Sequence, residues 1–369
     1  MTRSVRRWSA VAATTLLALG LTACGGNSSD TSSAPAAVPQ AATDAVTWLT
    51  GQLENGVLVN HQYKTNDDST TVELAYGVRA IDPRSPALAT IGKALAKDAK
   101  TYSHPGKEIY SGATAKLLSF ATDTGADPTS FGGLDLVKQM DGLTAASGRI
   151  ADVSKYGDYA NTFGQTWAVR GLLNARSKEA PAAERFLLQQ QCPAGFFRQD
   201  FSKPGAKDQG CSGKDQPSID TTALVVVLLD DKASGDQALA SAIDKAAAWL
   251  KGQQAKDGSF VLDSAPGGNG ASNANSTGLA ASALRLAGDD AGAAKAATWV
   301  RAHQLPSGCK GELAGEAGAI GYDAPTLVEA GRGGITAKTA YTWRLATAQA
   351  APALLSVPAS APAADCPAS

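Results

Sequence analysis

The sequence predicts an all-α protein, a closed ring of helical hairpins in two concentric layers, and three observations predict it. Segments with an Ala-rich stretch, an aromatic, then Gln and a Gly turn recur at 45–58, 183–197, 247–260 and 296–309. A second kind of segment opens on small hydroxyl or acidic residues and turns strongly apolar, at 68–81, 108–120, 159–173, 216–229, 273–287 and 337–355. The two kinds alternate along the chain, and they distribute their apolar residues differently around a helix.

Taken in order, the first kind carries Trp48, Phe186, Trp249 and Trp299 at its aromatic position. The interval between Trp48 and Phe186 leaves room for two further copies, expected at 88–102 and 133–141. These helices are amphipathic: Ile243, Ala247 and Leu250 share one face while Asp244, Lys245 and Lys251 lie elsewhere, as half-exposed outer helices require. The second kind starts with Ser, Thr, Asp or Asn in capping positions. Residues 224–229 are apolar throughout, so that helix is expected to be buried on all sides. Six outer–inner pairs with a period of about 50 residues would close into a ring.

At Gln254-Ala255-Lys256-Asp257-Gly258-Ser259-Phe260, a helix ends in Gln and Asp-Gly-x-Phe follows. This unit resembles the repeat of squalene cyclases and protein prenyltransferases. Residues 218–229 and 275–288 are similar to the inner helices of that superfamily and to those of the vertebrate cobalamin carriers. The resemblance spans residues 42–355 and implies an α/α toroid, an (α/α)6 barrel with six inner helices around a funnel and six outside. It implies fold more than function, because the superfamily holds enzymes, carriers and complement-like proteins. In the repeat, Gly permits a positive-φ turn, the aromatic packs back, and Gln bonds orphan backbone groups.

The N-terminus reads as an address. Arg3, Arg6 and Arg7 precede an apolar stretch at 11–21 that is short for a bilayer span. It closes on Leu21-Thr22-Ala23-Cys24, which resembles a bacterial lipobox. That resemblance makes 1–23 a lipoprotein signal peptide and Cys24 a lipidated first residue, partnered with the membrane through its acyl chains. Residues 24–41 are rich in Ser, Ala and Pro and read as a flexible linker. The toroid would occupy 42–355, and a Pro/Ala-rich tail 356–369.

The remaining cysteines, Cys192, Cys211, Cys309 and Cys366, are even in number, as expected for disulfides in an oxidising compartment. Four cysteines allow three connectivities. The favoured one joins Cys192 to Cys211 across a Gly/Lys/Asp loop and Cys309 to Cys366 across the tail. A formal charge of -1 gives no basic excess to neutralise phosphates, so no nucleic-acid partner is expected.

Chemical motifs are incomplete. Ser218-Ile219-Asp220-Thr221-Thr222-Ala223 resembles the Asp-x-Asp-Asp-Thr-Ala acid motif of class II terpene cyclases, but keeps only the middle Asp220, Thr222 and Ala223. An N-cap role for Asp220 accounts for the same residues. The acid pairs Asp67-Asp68, Asp230-Asp231 and Asp289-Asp290 lack the third acid of a DDxxD motif and read as caps or turns. The Asp, Cys and His zinc set of the prenyltransferases is missing, and with three His and no CxxC spacing neither a metal nor any cofactor is expected. Glu312 stands where a Cys-Gln thioester starting at Cys309 would need Gln.

The candidates for a funnel site are Asp68, Tyr110, Gln165, Trp167, Asp220 and Asn275, with Glu73 and Asp220 as the acids of a polysaccharide- or terpene-active enzyme. Long segments at 265–275 and 306–334 connect outer to inner helices and are expected to form a rim or lid at one end of the ring. The sequence thus favours a surface-anchored binding protein for a small molecule, glycan or envelope protein, with an enzyme as the alternative.

Overall fold

The computed structural model describes residues 37–261 and 270–367. The signal peptide, Cys24 and nearly all of the linker lie outside the described residues. Residues 38–369 form one compact unit, and its first outer helix starts at Gln40, two residues ahead of the expected boundary.

The six apolar segments form the inner helices. They are α2 (Asp68–Ile81), α4 (Ser111–Thr124), α6 (Thr162–Asn174), α8 (Ile219–Leu229), α10 (Ala274–Leu286) and α13 (Ala340–Ala350). Each packs on the next, and α13 returns to α2, so the ring closes. The outer layer consists of α1 (Gln40–Gly51), α3 (Ala87–Ser103), α5 (Leu136–Leu143), α7 (Ala180–Gln189), α9 (Gln237–Gln253) and α11 (Asp290–Arg301). The inferred copies at 88–102 and 133–141 are therefore α3 and α5. The architecture is an α/α toroid; the only sheet among the described residues is a two-stranded ribbon, Val59–Asn60 against Thr65–Asn66.

Helix α8 is buried on all sides except at Asp220 and Val227. Those two are seven residues apart, hence on one stripe of the helix, and that stripe faces the ring axis. In α9 the amphipathic pattern holds: Ile243, Ala247 and Leu250 are buried while Asp244, Lys245 and Lys251 are exposed.

The layers are fastened by a repeated polar seam. After α9, the Gln254 amide donates to its own turn at Gly258 O (3.1 Å) and to Gly292 O in the first turn of the next outer helix (2.9 Å). Gln191 does the same with Gly195 O and Ala242 O, and Gln304 with Gly318 O and Ala41 O, which joins the last outer helix to the first. The inner helix supplies the second tie: Thr222, Thr277 and Thr347 accept from the backbone N–H of Phe197, Phe260 and Ile320. Gly258 has φ +94°, and a Cβ there would meet Lys295 O at 2.5 Å; Gly318, also left-handed, would meet Asp44 O at 2.2 Å. Only glycine lets the turn lie this close to the neighbouring helix backbone.

Residues 306–334 are not an open loop. They contain α12 (Ala324–Gly333), and Glu316 accepts from the Trp48 indole of α1 at 2.6 Å. Cys309 is bonded to Cys366, which holds the C-terminal tail against this segment, and Cys192 to Cys211, with Cα–Cα distances of 5.4 and 4.9 Å. The pairings are the expected ones, and they fit an oxidising, extracytoplasmic environment. No helix among the described residues is long and apolar enough to cross a membrane.

Candidate functional site

Every outer-to-inner connection reaches the N-terminal end of an inner helix, so these connections gather at one end of the ring. That end opens into a mouth cavity of about 500 Å³. Its walls combine rings and polar groups: Tyr102 from the end of α3, Tyr110 capping α4, Tyr159 from the loop before α6, Trp167 of α6, Lys116 of α4 and Asp220 of α8. Around it, Tyr63, Tyr156, Tyr159 and Tyr341 are exposed, all on loops or helix starts of the same end.

Asp220 does not cap its helix. Ser218 is the cap and accepts from Thr221 N, which leaves Asp220 two residues later, in the wall of the cavity. Its Oδ1 is buried without a hydrogen-bond partner. Burial pushes its carboxyl pKa up, and the hydrogen bond with Ser276 offsets this only in part. Trp167 is 1% exposed, its Nε1–H is also unpartnered, and Tyr76 packs edge-on against its ring at 4.6 Å. Asn275 opens α10; it donates to Gln349 Oε1 at 2.8 Å and its own Oδ1 is buried and unpartnered.

Glu73 lies deeper. Lys116 Nζ donates to it at 2.7 Å and to Ser69 Oγ at 3.0 Å. Burial disfavours the Lys116 ammonium, but Glu73, together with Tyr102 and Asp67, outweighs it and the pKa ends raised. The pair is therefore a neutralised ion pair, and Glu73 is not a free carboxylate facing Asp220. A second cavity, of about 190 Å³, continues along the axis below Trp167, which lines both.

Three of the expected funnel residues are placed differently, and Asn275 is one, since it lines neither cavity. Gln165 is fully buried between the layers: its Oε1 accepts from Ile150 N at 3.0 Å, and its Nε2 donates to Gly148 O and Ala183 O. It occupies the fourth position of α6, where α8 and α10 carry Thr222 and Thr277, and performs both seam functions with one longer side chain. Asp68 also lines neither cavity. Burial first, then Asp98 and Asp67, raise its carboxyl to about 6. Its neighbour Asp67 caps α2 as expected, and Asp289 caps α11. Tyr102, Lys116 and Tyr159 were not anticipated. They come from an outer helix, a mid-inner position and a loop, and the packing of α3, α4 and α6 brings them together.

Among the described residues, Cys192, Cys211 and Asp215 are the one group close enough to hold a metal. The two sulfurs are joined in a disulfide and offer no thiolate, so the donor set does not fit a metal.

No protein-family profile matches the sequence, and no curated protein matches it. Solved structures do. The type II terpene cyclase MstE from Scytonema superposes with a TM-score of 0.58 at 16% identity, over 86% of this chain and 96% of that one. An α-amylase from Clostridium perfringens gives 0.57 at 13% identity, over 88% and 99%. The ent-copalyl diphosphate synthase from Streptomyces platensis gives 0.51 at 17% identity, over 79% of this chain and 51% of that one. At such identities the likeness establishes shared architecture alone: the chain has the α/α-toroid fold found in type II terpene cyclases.

Proposed function

We propose that this is an extracytoplasmic lipoprotein, tethered through Cys24, whose toroid mouth binds a glycan or similar hydroxylated ring compound without transforming it. The observation that carries the reading is the unpartnered hydrogen-bonding capacity of Trp167 Nε1 and Asp220 Oδ1 beside the tyrosines of one cavity. Buried polar atoms are ordinarily paired, and leaving one unpaired costs roughly 1–3 kcal/mol. A sugar answers both groups: its hydroxyls accept from the indole N–H and bond the carboxyl, while its C–H faces lie on the aromatic rings. The exposed tyrosines around the rim extend that surface for a longer chain.

Against catalysis stand the neutralised Glu73 and an open mouth lined by rings and polar groups alike. The observation that favours an enzyme is the raised pKa of Asp220, which suits an acid that holds its proton. The two readings separate in one experiment. The mature-length chain with Cys24→Ser is titrated calorimetrically with maltotriose, cellotriose, chitotriose and trehalose, and each mixture is then analysed for products. The proposal expects saturable binding of at least one saccharide, unchanged on recovery, and about 10-fold or greater weakening in Asp220→Asn. Cleavage or rearrangement lost in Asp220→Asn would establish the enzyme instead, and no saccharide binding would overturn the glycan reading.

A further inference from the structure

The axial cavity below Trp167 differs chemically from the mouth. Leu224, Val227, Leu228, Leu279 and Leu286 give its wall an apolar side, and it runs to the last turns of the inner helices. Its volume, about 190 Å³, exceeds that of a dry apolar cavity of about 150 Å³ that takes up benzene.

The charges at its edge are unbalanced. Three arginines line it, Arg79, Arg170 and Arg285, against one carboxylate, Glu73, which Lys116 already neutralises. Arg170 is fully engaged: it donates to both oxygens of Asp123, to Asp231 and to Leu228 O. Arg79 lies 4.0 Å from Asp123. Arg285 has no carboxylate within ion-pair distance among the described residues, and its buried Nε–H has no hydrogen-bond partner. Burial lowers its pKa, and Asp230 and Asp290 offset this only in part. A guanidinium so placed lacks an anion, and the wall beside it lacks an apolar filling.

We infer that this cavity is a second binding site, independent of the mouth, for a small amphipathic carboxylate. The ligand's short apolar body fills the space under Trp167, and its carboxylate is bonded by Arg285. The inference does not depend on what the mouth binds.

The test compares octanoate with 1-octanol, which shares the chain and lacks the charge. Binding to the mature-length Cys24→Ser chain is measured by titration calorimetry. Octanoate is expected to bind about 10- to 100-fold more tightly than octanol, the increment of a charge-assisted hydrogen bond. In Arg285→Gln that preference should vanish while octanol binding persists. Lys245→Gln removes an exposed cation of α9 that lines neither cavity and should keep the preference, which shows that the loss in Arg285→Gln is specific. A cation in the last turn of a helix is also favoured by the helix dipole. If that were the whole role of Arg285, the two ligands would bind alike or not at all, or Arg285→Gln would leave the preference unchanged; each of these results overturns the inference.

Discussion

The seam between the helix layers and the mouth of the ring use polar residues in opposite ways. In the seam, Gln165, Gln191, Gln254 and Gln304 bridge carbonyls of consecutive repeats, and none of them contributes a buried atom without a partner. At the mouth, Trp167 and Asp220 line the cavity, yet each keeps one polar atom unanswered. The seam glutamines complete the fold, whereas Trp167 and Asp220, unlike the paired Glu73, Lys116 and Arg170 on the same axis, each keep an atom available to something that is not part of it.

The sharpest way to break the comparison is at a seam glycine. Gly258→Ala adds a Cβ against Lys295 O and forces a side chain into left-handed backbone. It should cost about 2–4 kcal/mol, read as a lower urea midpoint, with saccharide affinity unchanged in the molecules that remain folded. Gln254→Ala removes both bridging bonds and should cost about 1–3 kcal/mol, again without changing affinity. Asp220→Asn should do the reverse, losing affinity while stability at neutral pH is kept. Because folding raises the Asp220 pKa, its stabilising contribution is complete below the unfolded value and is lost as pH rises through the folded one. The Asn variant should therefore gain on the parent protein as pH rises above the unfolded carboxyl range, read in denaturation scans across pH.

The smallest effect belongs to the outer layer. Glu184 is raised to about 7, first by burial and then by its hydrogen bond with Asp236, the cap of α9. Its contribution is full below pH 4.5 and fades as pH approaches and passes 7. Glu184→Gln should remove that slope, a change on the order of 1 kcal/mol once solvent screening is allowed for. Thermal midpoints measured at pH 5 and pH 8 on both proteins check it.

The ring itself was readable in the sequence because its layers obey different periodicities. Residues 224–229 are apolar throughout and α9 is amphipathic, and each pattern has one stable place in a two-layer ring. The disulfides were readable too, since each closes a loop or tail with little core of its own. The site was only partly readable. Asp220 looked like a cap because a capping Ser218 stands two residues away, and residue type does not say which of two neighbours turns inward. Gln165 was expected in the funnel, yet its register matches Thr222 and Thr277, whose seam role becomes visible only when the hydrogen bonds are seen. Tyr102, Lys116 and Tyr159 belong to no common spacing; a cavity assembled from an outer helix, an inner helix and a loop leaves no local signature.

The most direct test is a ¹⁵N-indole and side-chain-amide NMR titration with the tightest-binding of the four saccharides. The Trp167 Nε1–H resonance should move and saturate with ligand, and the Gln254 seam amide should stay in place. A saccharide that saturates the protein while leaving the Trp167 indole unmoved would contradict the claim that the unpartnered groups of the mouth are the binding site.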